Sequence, residues 1–167
     1  MMRTKVALRK NKVSDAKRFW EILNSIDKKY WPHPVPKDVE AEKQFLRAQI
    51  KRINSGKEWG FTIIYNAQVV GVTGCTIDPS QGHIVRGGYF IDPAFQGKGI
   101  ATAAFEKLTK IVFKNNKIKR VETQIFAGNI ASIRVVQRLG FSYEGTLQKS
   151  WKHRNRYHDM VVYAKVR

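Results

Sequence analysis

From Tyr89 to Ala101 the chain reads Tyr-Phe-Ile-Asp-Pro-Ala-Phe-Gln-Gly-Lys-Gly-Ile-Ala. An apolar strand runs into an Asp-Pro turn, and two glycines stand just ahead of an amphipathic helical pattern. Glycine admits backbone conformations closed to other residues and lets a ligand approach the N–H groups. Those N–H groups, at the positive end of a helix, form a site suited to an anion such as pyrophosphate, and Lys98 adds a charge beside it. A lone Gly-x-Gly is also what a helix start in need of glycine looks like. A dinucleotide fingerprint fits Gly97 and Gly99 but meets Thr102 where its third glycine belongs, although Glu122 lies at a spacing suited to a ribose contact. A Walker loop fails outright, because no Gly-Lys-Ser or Gly-Lys-Thr occurs.

The flanking segments decide the architecture. Lys5 to Lys10 alternates as a short strand, and Ser14 is placed to cap a helix carrying Phe19, Ile22, Leu23 and Ile26 on one face. Pro32, Pro34 and Pro36 forbid helix over Tyr30 to Pro36. Asp38 caps a second helix with Leu46, Ile50 and Ile53 inward, stopped at Gly56. Trp59–Tyr65 and Val69–Ile77 then read as a hairpin around Asn66-Ala67. An antiparallel hairpin ahead of the glycine loop is the wrong context for a dinucleotide fold, which needs a βαβ unit there. Strands over Ile84–Ile91, Arg120–Phe126, Phe141–Gln148 and Tyr157–Val166 alternate with helices over Gly99–Asn115 and Asn129–Arg138. The whole reads as one α/β (α+β in some schemes) domain over residues 1–167. It has a mixed, mostly antiparallel sheet of about seven strands flanked by about four helices.

Composition narrows the partners. Lys and Arg number 31 against 13 Asp and Glu, a net charge of +18 that attracts polyanions or simply keeps the chain soluble. Cys75 is the single cysteine, so no internal disulfide or structural zinc site is available. In its apolar strand Cys75 reads as a small buried hydrophobe. His33, His83, His153 and His158 lack metal-ligand spacing, and no metal is expected. No stretch approaches the roughly 20 apolar residues of a membrane span, and the start lacks a signal-peptide pattern. A cytoplasmic location and no membrane contact are expected.

Gln96-x-x-Gly99-x-Ala101 after a strand resembles the acetyl-CoA pyrophosphate loop of the GNAT superfamily. Asn129-Ile130-Ala131-Ser132, followed by a helix and Leu139-Gly140-Phe141, resembles its second coenzyme motif. The form Asn-x-x-Ser…Leu-Gly-Phe is similar to the RimJ/RimL branch, which acetylates ribosomal-protein N-termini. The tail from Glu144 through Tyr157 to Tyr163 also resembles that branch, while the likeness is weak before Trp59. The resemblance implies an N-acetyltransferase with acetyl-CoA as co-substrate. Backbone groups of Phe90 and Ile91 would pair with the pantetheine arm. Gln96, Gly97, Lys98, Gly99, Ile100 and Ala101 would form the pyrophosphate loop, and Asn129 would reach a pantetheine amide or serve only as a helix cap. Ser132 would lie by the coenzyme sulfur or merely cap its helix. Many relatives carry a general-acid tyrosine where this chain has Val136, so Tyr143 or Tyr157 would have to stand in. Glu122, Glu144 and Asp159 are the acids near the motifs, and Glu144 together with Ser132 is taken as catalytic, though water remains an alternative base.

The fold so implied lines its acceptor groove with Lys28–His33 and Lys149–Arg156. Trp31 and Trp151 then become the candidate substrate contacts. Their basic surroundings disfavour polycationic amines and suit a protein N-terminus, as at a ribosome. A small-molecule amine acceptor, or a basic nucleic-acid-binding module without catalysis, are the alternatives.

Overall fold

The computed structural model describes residues 5–167. Seven strands form one sheet: β1 Val6–Lys10, β2 Glu58–Tyr65, β3 Gln68–Ile77, β4 Ile84–Ile91, β5 Arg120–Phe126, β6 Ser142–His153 and β7 Arg156–Val166. Their order across the sheet is β1-β2-β3-β4-β5-β7-β6. Four α-helices accompany them: α1 Ala16–Ser25, α2 Val39–Asn54, α3 Ile100–Phe113 and α4 Ile130–Arg138. This is the mixed, mostly antiparallel sheet with flanking helices that the sequence predicts.

One pairing differs from the rest. All neighbours run antiparallel except β4 and β5, which are parallel and meet only where Ile84–Arg86 faces Arg120–Glu122. Beyond Arg86 the two strands have no partner in each other, so the sheet opens into a wedge. On its other edge β4 stays paired to β3 as far as Ile91 opposite Gly71.

Period-2 alternation sends successive residues of β4 to opposite faces. Phe90 meets Phe19 of α1 edge-on at 6.1 Å, in a cluster with Ala16 and Leu46. Tyr89 meets Phe105 of α3 at 5.8 Å on the other face, above the larger core of Val85, Leu108, Val112, Val121 and Ile125. Thus α1 and α2 cover one side of the wedge, and α3 and α4 cover the other.

Local chemistry fixes the elements. Asp38 caps α2 by accepting from Ala41 N at 2.7 Å, as its sequence position predicts. The β2–β3 hairpin turns through Asn66 and Ala67, both with positive φ, the geometry that matches strand twist. Two expectations are corrected. Ser14 does not cap α1; it lies within a 3₁₀ turn, Val13–Asp15, and Asp15 stands at the helix start. The last hairpin runs to His153 rather than ending at Gln148, with bulges between Tyr143 and Gly145 and between Leu147 and Trp151.

Candidate active site

The glycine loop sits where β4 gives way to α3. Gly97 and Gly99 have φ of 75° and 73°, and Gly99 is the N-cap of α3. Nothing lies within 4 Å of either α-carbon's open side, so both are exposed to an approaching ligand. The N–H groups from Gly97 through Thr102 find no acceptor among the described residues. The loop is held from below: Gln96 Nε2 donates to Ile91 O at 3.3 Å, Asp92 accepts from Ala94 N, and Arg18 pairs with Asp92. Lys98 lies over the Phe95 ring at 5.0 Å. Unpaired amides, a helix N-terminus and a lysine make an arrangement chemically suited to phosphate oxygens.

Below the loop the wedge opens into a cavity of about 1000 Å³ that draws its walls from both faces of the sheet. On the α1/α2 side stand Trp31, Glu42, Leu46 and Phe90; on the α3/α4 side stand Tyr89, Asn129 and Ser132, with Trp151 of β6 at the margin. Asn129 caps α4, accepting from Ser132 N at 3.2 Å. The Tyr89 hydroxyl donates to Ser132 Oγ at 3.3 Å, and burial holds the Tyr89 phenol above its ordinary pKa. The Trp31 indole N–H is buried without a hydrogen-bond partner among the described residues, and its ring meets Phe90 edge-on at 5.5 Å between centroids. His33 beside it is pushed down by burial and stays neutral near pH 7.

Of the residues picked out by sequence, Phe90, Asn129, Ser132, Trp31 and Trp151 line this one cavity. Ile91 and the glycine loop adjoin it without lining it. The structure does not bring Glu144 there: its carboxylate lies on the outer face, bound to Arg120 at 2.5 and 2.8 Å, and that bond holds its pKa down. Glu122 is buried in the same network, bonded by Arg86 and Arg120. Tyr143 is 55% exposed and bonds Thr146, while Tyr157 and Asp159 line a separate shallow hollow with Lys149. Among the described residues no three His, Cys, Asp or Glu side chains cluster as metal ligands would.

Two cavity residues escape a sequence reading. Tyr89 looks like an ordinary strand aromatic until α4 is placed across from it. Glu42 does leave a signal, because the inward stripe of α2 is Glu42, Leu46 and Gln49, with Ile50 and Ile53 only half-buried. An acid in an inward helical stripe departs from the apolar pattern such a stripe requires. Burial pushes the Glu42 carboxyl up to about 7.

The domain model described as "Acetyltransferase (GNAT) domain" matches residues 5–142. The chain belongs to the GNAT family of N-acetyltransferases. It is similar to a probable N-acetyltransferase, YjcK, of Bacillus subtilis, 30% identical over 75% of this chain and 71% of that protein. A spermine/spermidine N(1)-acetyltransferase of the same organism is 36% identical over a shorter stretch, 42% of this chain and 46% of that protein. Among solved structures, RimL, a ribosomal L7/L12 α-N-protein acetyltransferase in complex with coenzyme A, superposes with a TM-score of 0.87. The superposition covers 99% of this chain and 96% of RimL at 23% identity, a likeness of fold.

Proposed function

We propose that this GNAT enzyme transfers the acetyl group of acetyl-CoA to the α-amine of a protein or peptide N-terminus. The observation that supports this reading is the wedge itself, which lies beside the glycine loop and puts the Tyr89–Ser132 pair opposite an aromatic compartment on the other face. A ligand threading the wedge meets the unpaired edge of β4 at Phe90 and Ile91 as an added strand would. Its pyrophosphate would take the N–H groups of Gly97 to Ala101, with Gln96 bracing the loop and Lys98 balancing charge. Asn129 would meet the pantetheine amide, and Ser132 would donate to the departing sulfur. Trp31 and Trp151 would flank an entering peptide, the free indole N–H of Trp31 meeting a backbone carbonyl. Glu144 has no part in this reading, since Arg120 holds it away from the cavity.

The net charge of +18 favours acceptors presented on a polyanion, such as nascent or ribosomal N-termini, over free polycations. Titration calorimetry with acetyl-CoA on the wild type and Gly99→Glu tests the coenzyme site; heat from the wild type only is expected. Acetyl transfer is then followed by mass spectrometry on peptides beginning with Ser, Ala or Met, beside spermidine. Preferred acetylation of spermidine would refute the acceptor class.

A further inference from the structure

Among the described residues six acids are buried: Asp15, Glu42, Glu58, Asp78, Asp92 and Glu122. Five are matched to cations. Arg9 holds Asp15, Arg52 holds Glu58, Arg86 holds Asp78 and Glu122, and Arg18 holds Asp92. Glu42 alone of the six has neither a cation nor a hydrogen-bond donor on its carboxylate among the described residues, although the residue is only 3% exposed. Two turns along the same stripe, Gln49 shows what a structural polar group looks like here: it accepts from Asn11 at 2.9 Å and donates to Glu58 at 2.6 Å. A buried, unpaired carboxylate in a chain with so many Lys and Arg residues is costly, and such a cost points to a ligand that supplies the missing charge.

The cavity says what that ligand is. Glu42 lies on the α1/α2 side of the wedge with Phe90, while Ser132 and Tyr89, the pair proposed to meet the sulfur, lie on the α3/α4 side. An acceptor amine must attack through the wedge from the face opposite the departing sulfur. We propose that Glu42 is the general base that receives the acceptor's ammonium and takes its proton, a proposal that rests on the acetyltransferase reading of this cavity.

R–NH₃⁺ gives one proton to the Glu42 carboxylate, leaving R–NH₂ and a neutral carboxyl. The amine lone pair forms the C–N bond at the thioester carbonyl, and the C–S bond breaks with its electron pair going to sulfur. A second proton leaves nitrogen and reaches the thiolate by way of the Ser132 side, giving the free thiol. The Glu42 proton passes to solvent through the cavity mouth.

The other titratable groups lining the cavity leave this role to Glu42. From the loop after α1, His33 is pushed down by burial, with the Tyr30 phenol near it; on α2 and β2, Arg52 and Glu58 neutralise each other; on β3, burial pushes the Cys75 thiol up to about 12; on β4, burial holds the Tyr89 phenol above its ordinary value and Arg86 is bound to Asp78 and Glu122. The α1 wall is Phe19 and Leu23, and the β5 wall is Thr123 to Phe126, none of them charged. With burial acting alone, Glu42 is held at about 7. That value sits within about one unit of an α-amine, near 7.7–8.0, and about three below a lysine or polyamine amine. A proton moves readily to a base so matched, which favours N-terminal acceptors.

The test compares wild type, Glu42→Gln and Glu42→Asp on the peptides and spermidine, by thiol release from pH 6 to 9.5. With Glu42→Gln, kcat/KM at pH 7 should fall by about 100-fold or more on whichever amine the wild type uses, with acetyl-CoA affinity unchanged within twofold. The loss should shrink as pH approaches the amine's own pKa, and trifluoroethylamine, largely neutral at pH 7, should be acetylated nearly equally by both forms. Glu42→Asp should retain part of the activity. A Glu42→Gln enzyme with the wild-type pH profile would overturn the proposal and leave the acetyltransferase reading standing. Use of spermidine with the same Glu42 dependence would overturn the acceptor class and leave Glu42 as base. Carbon-13 carboxyl NMR needs no acceptor: a Glu42 midpoint near 7 is expected, and one near 4.5, an ordinary glutamate, would sink the assignment.

Discussion

The Tyr89 hydroxyl donates to Ser132 Oγ at 3.3 Å, tying the free edge of β4 to the first turn of α4. With tyrosine as the donor, the Ser132 hydroxyl proton stays free for the transfer to sulfur proposed above. Burial holds Tyr89 above its ordinary pKa, so the phenol stays protonated through the working range. The distance exceeds an optimal hydroxyl pair, as is common before a substrate tightens a site. Ser132→Ala should lower kcat by about 10- to 100-fold with little change in acetyl-CoA affinity. Tyr89→Phe should cost about 3- to 10-fold, and the double variant no more than Ser132→Ala alone, since the tyrosine acts through the serine. Steady-state kinetics of the three variants decides it.

Gly99 caps α3 at φ 73°, and Gly56 follows α2 at φ 74°; neither has an atom within 4 Å of an added Cβ. Alanine at either position should therefore destabilise by about 1 kcal/mol from backbone strain alone. Only Gly99→Ala should also weaken acetyl-CoA, by about tenfold or more, because its strain turns the amides of the glycine loop. Thermal melts and calorimetry on both variants separate conformational strain from ligand approach.

Glu122 illustrates why an acid near a motif need not be catalytic. Burial alone would push its carboxyl up, but hydrogen bonds from Arg86 and Arg120 outweigh this and set it below the ordinary value. Asp78, bonded by Ser80 and Arg86, is held down to about 2. A depressed carboxylate contributes stability that is present above its unfolded pKa and lost as pH falls through the folded one. Melts should therefore weaken from about pH 4 toward pH 2. Glu122→Gln should cost about 1–2 kcal/mol at pH 7, since Arg86 then keeps only Asp78 and Arg120 only Glu144 where the wedge closes. Denaturant titration across pH checks both.

The seven strands and the glycine loop were legible because each rests on local rules: alternation, turn residues and helix caps. Asp38, Asn129 and the Asn66-Ala67 turn act where the sequence puts them. The candidate site is legible as far as it lies on motifs: Phe90, Asn129 and Ser132, picked out that way, all line the cavity. Glu144 was misplaced because its strand position says nothing about which acid a distant arginine will claim, and Arg120 claims it. Tyr89 and Glu42 become readable only when β4 and β5 part, which brings opposite sheet faces into one cavity. That parting is a long-range fact, set by three paired residues on each strand.

Glu42 yields a prediction of the opposite sign to Glu122. Its carboxyl is pushed up to about 7, against an ordinary glutamate near 4.5. Between those values the folded chain binds more protons than the unfolded one, so its contribution to stability falls as pH rises. Allowing for solvent reaching the group through the cavity, the ionised side chain should cost the fold about 2 kcal/mol above pH 7. Glu42→Gln removes the charge and keeps the shape. It should melt several degrees higher than wild type at pH 8 and nearly equal to it at pH 4.5. A merely structural glutamate would do the reverse, losing stability on substitution at pH 8. Greater stability with lower activity is what a group kept at a cost for its chemistry should show. Paired melts at the two pH values are sufficient to decide between them.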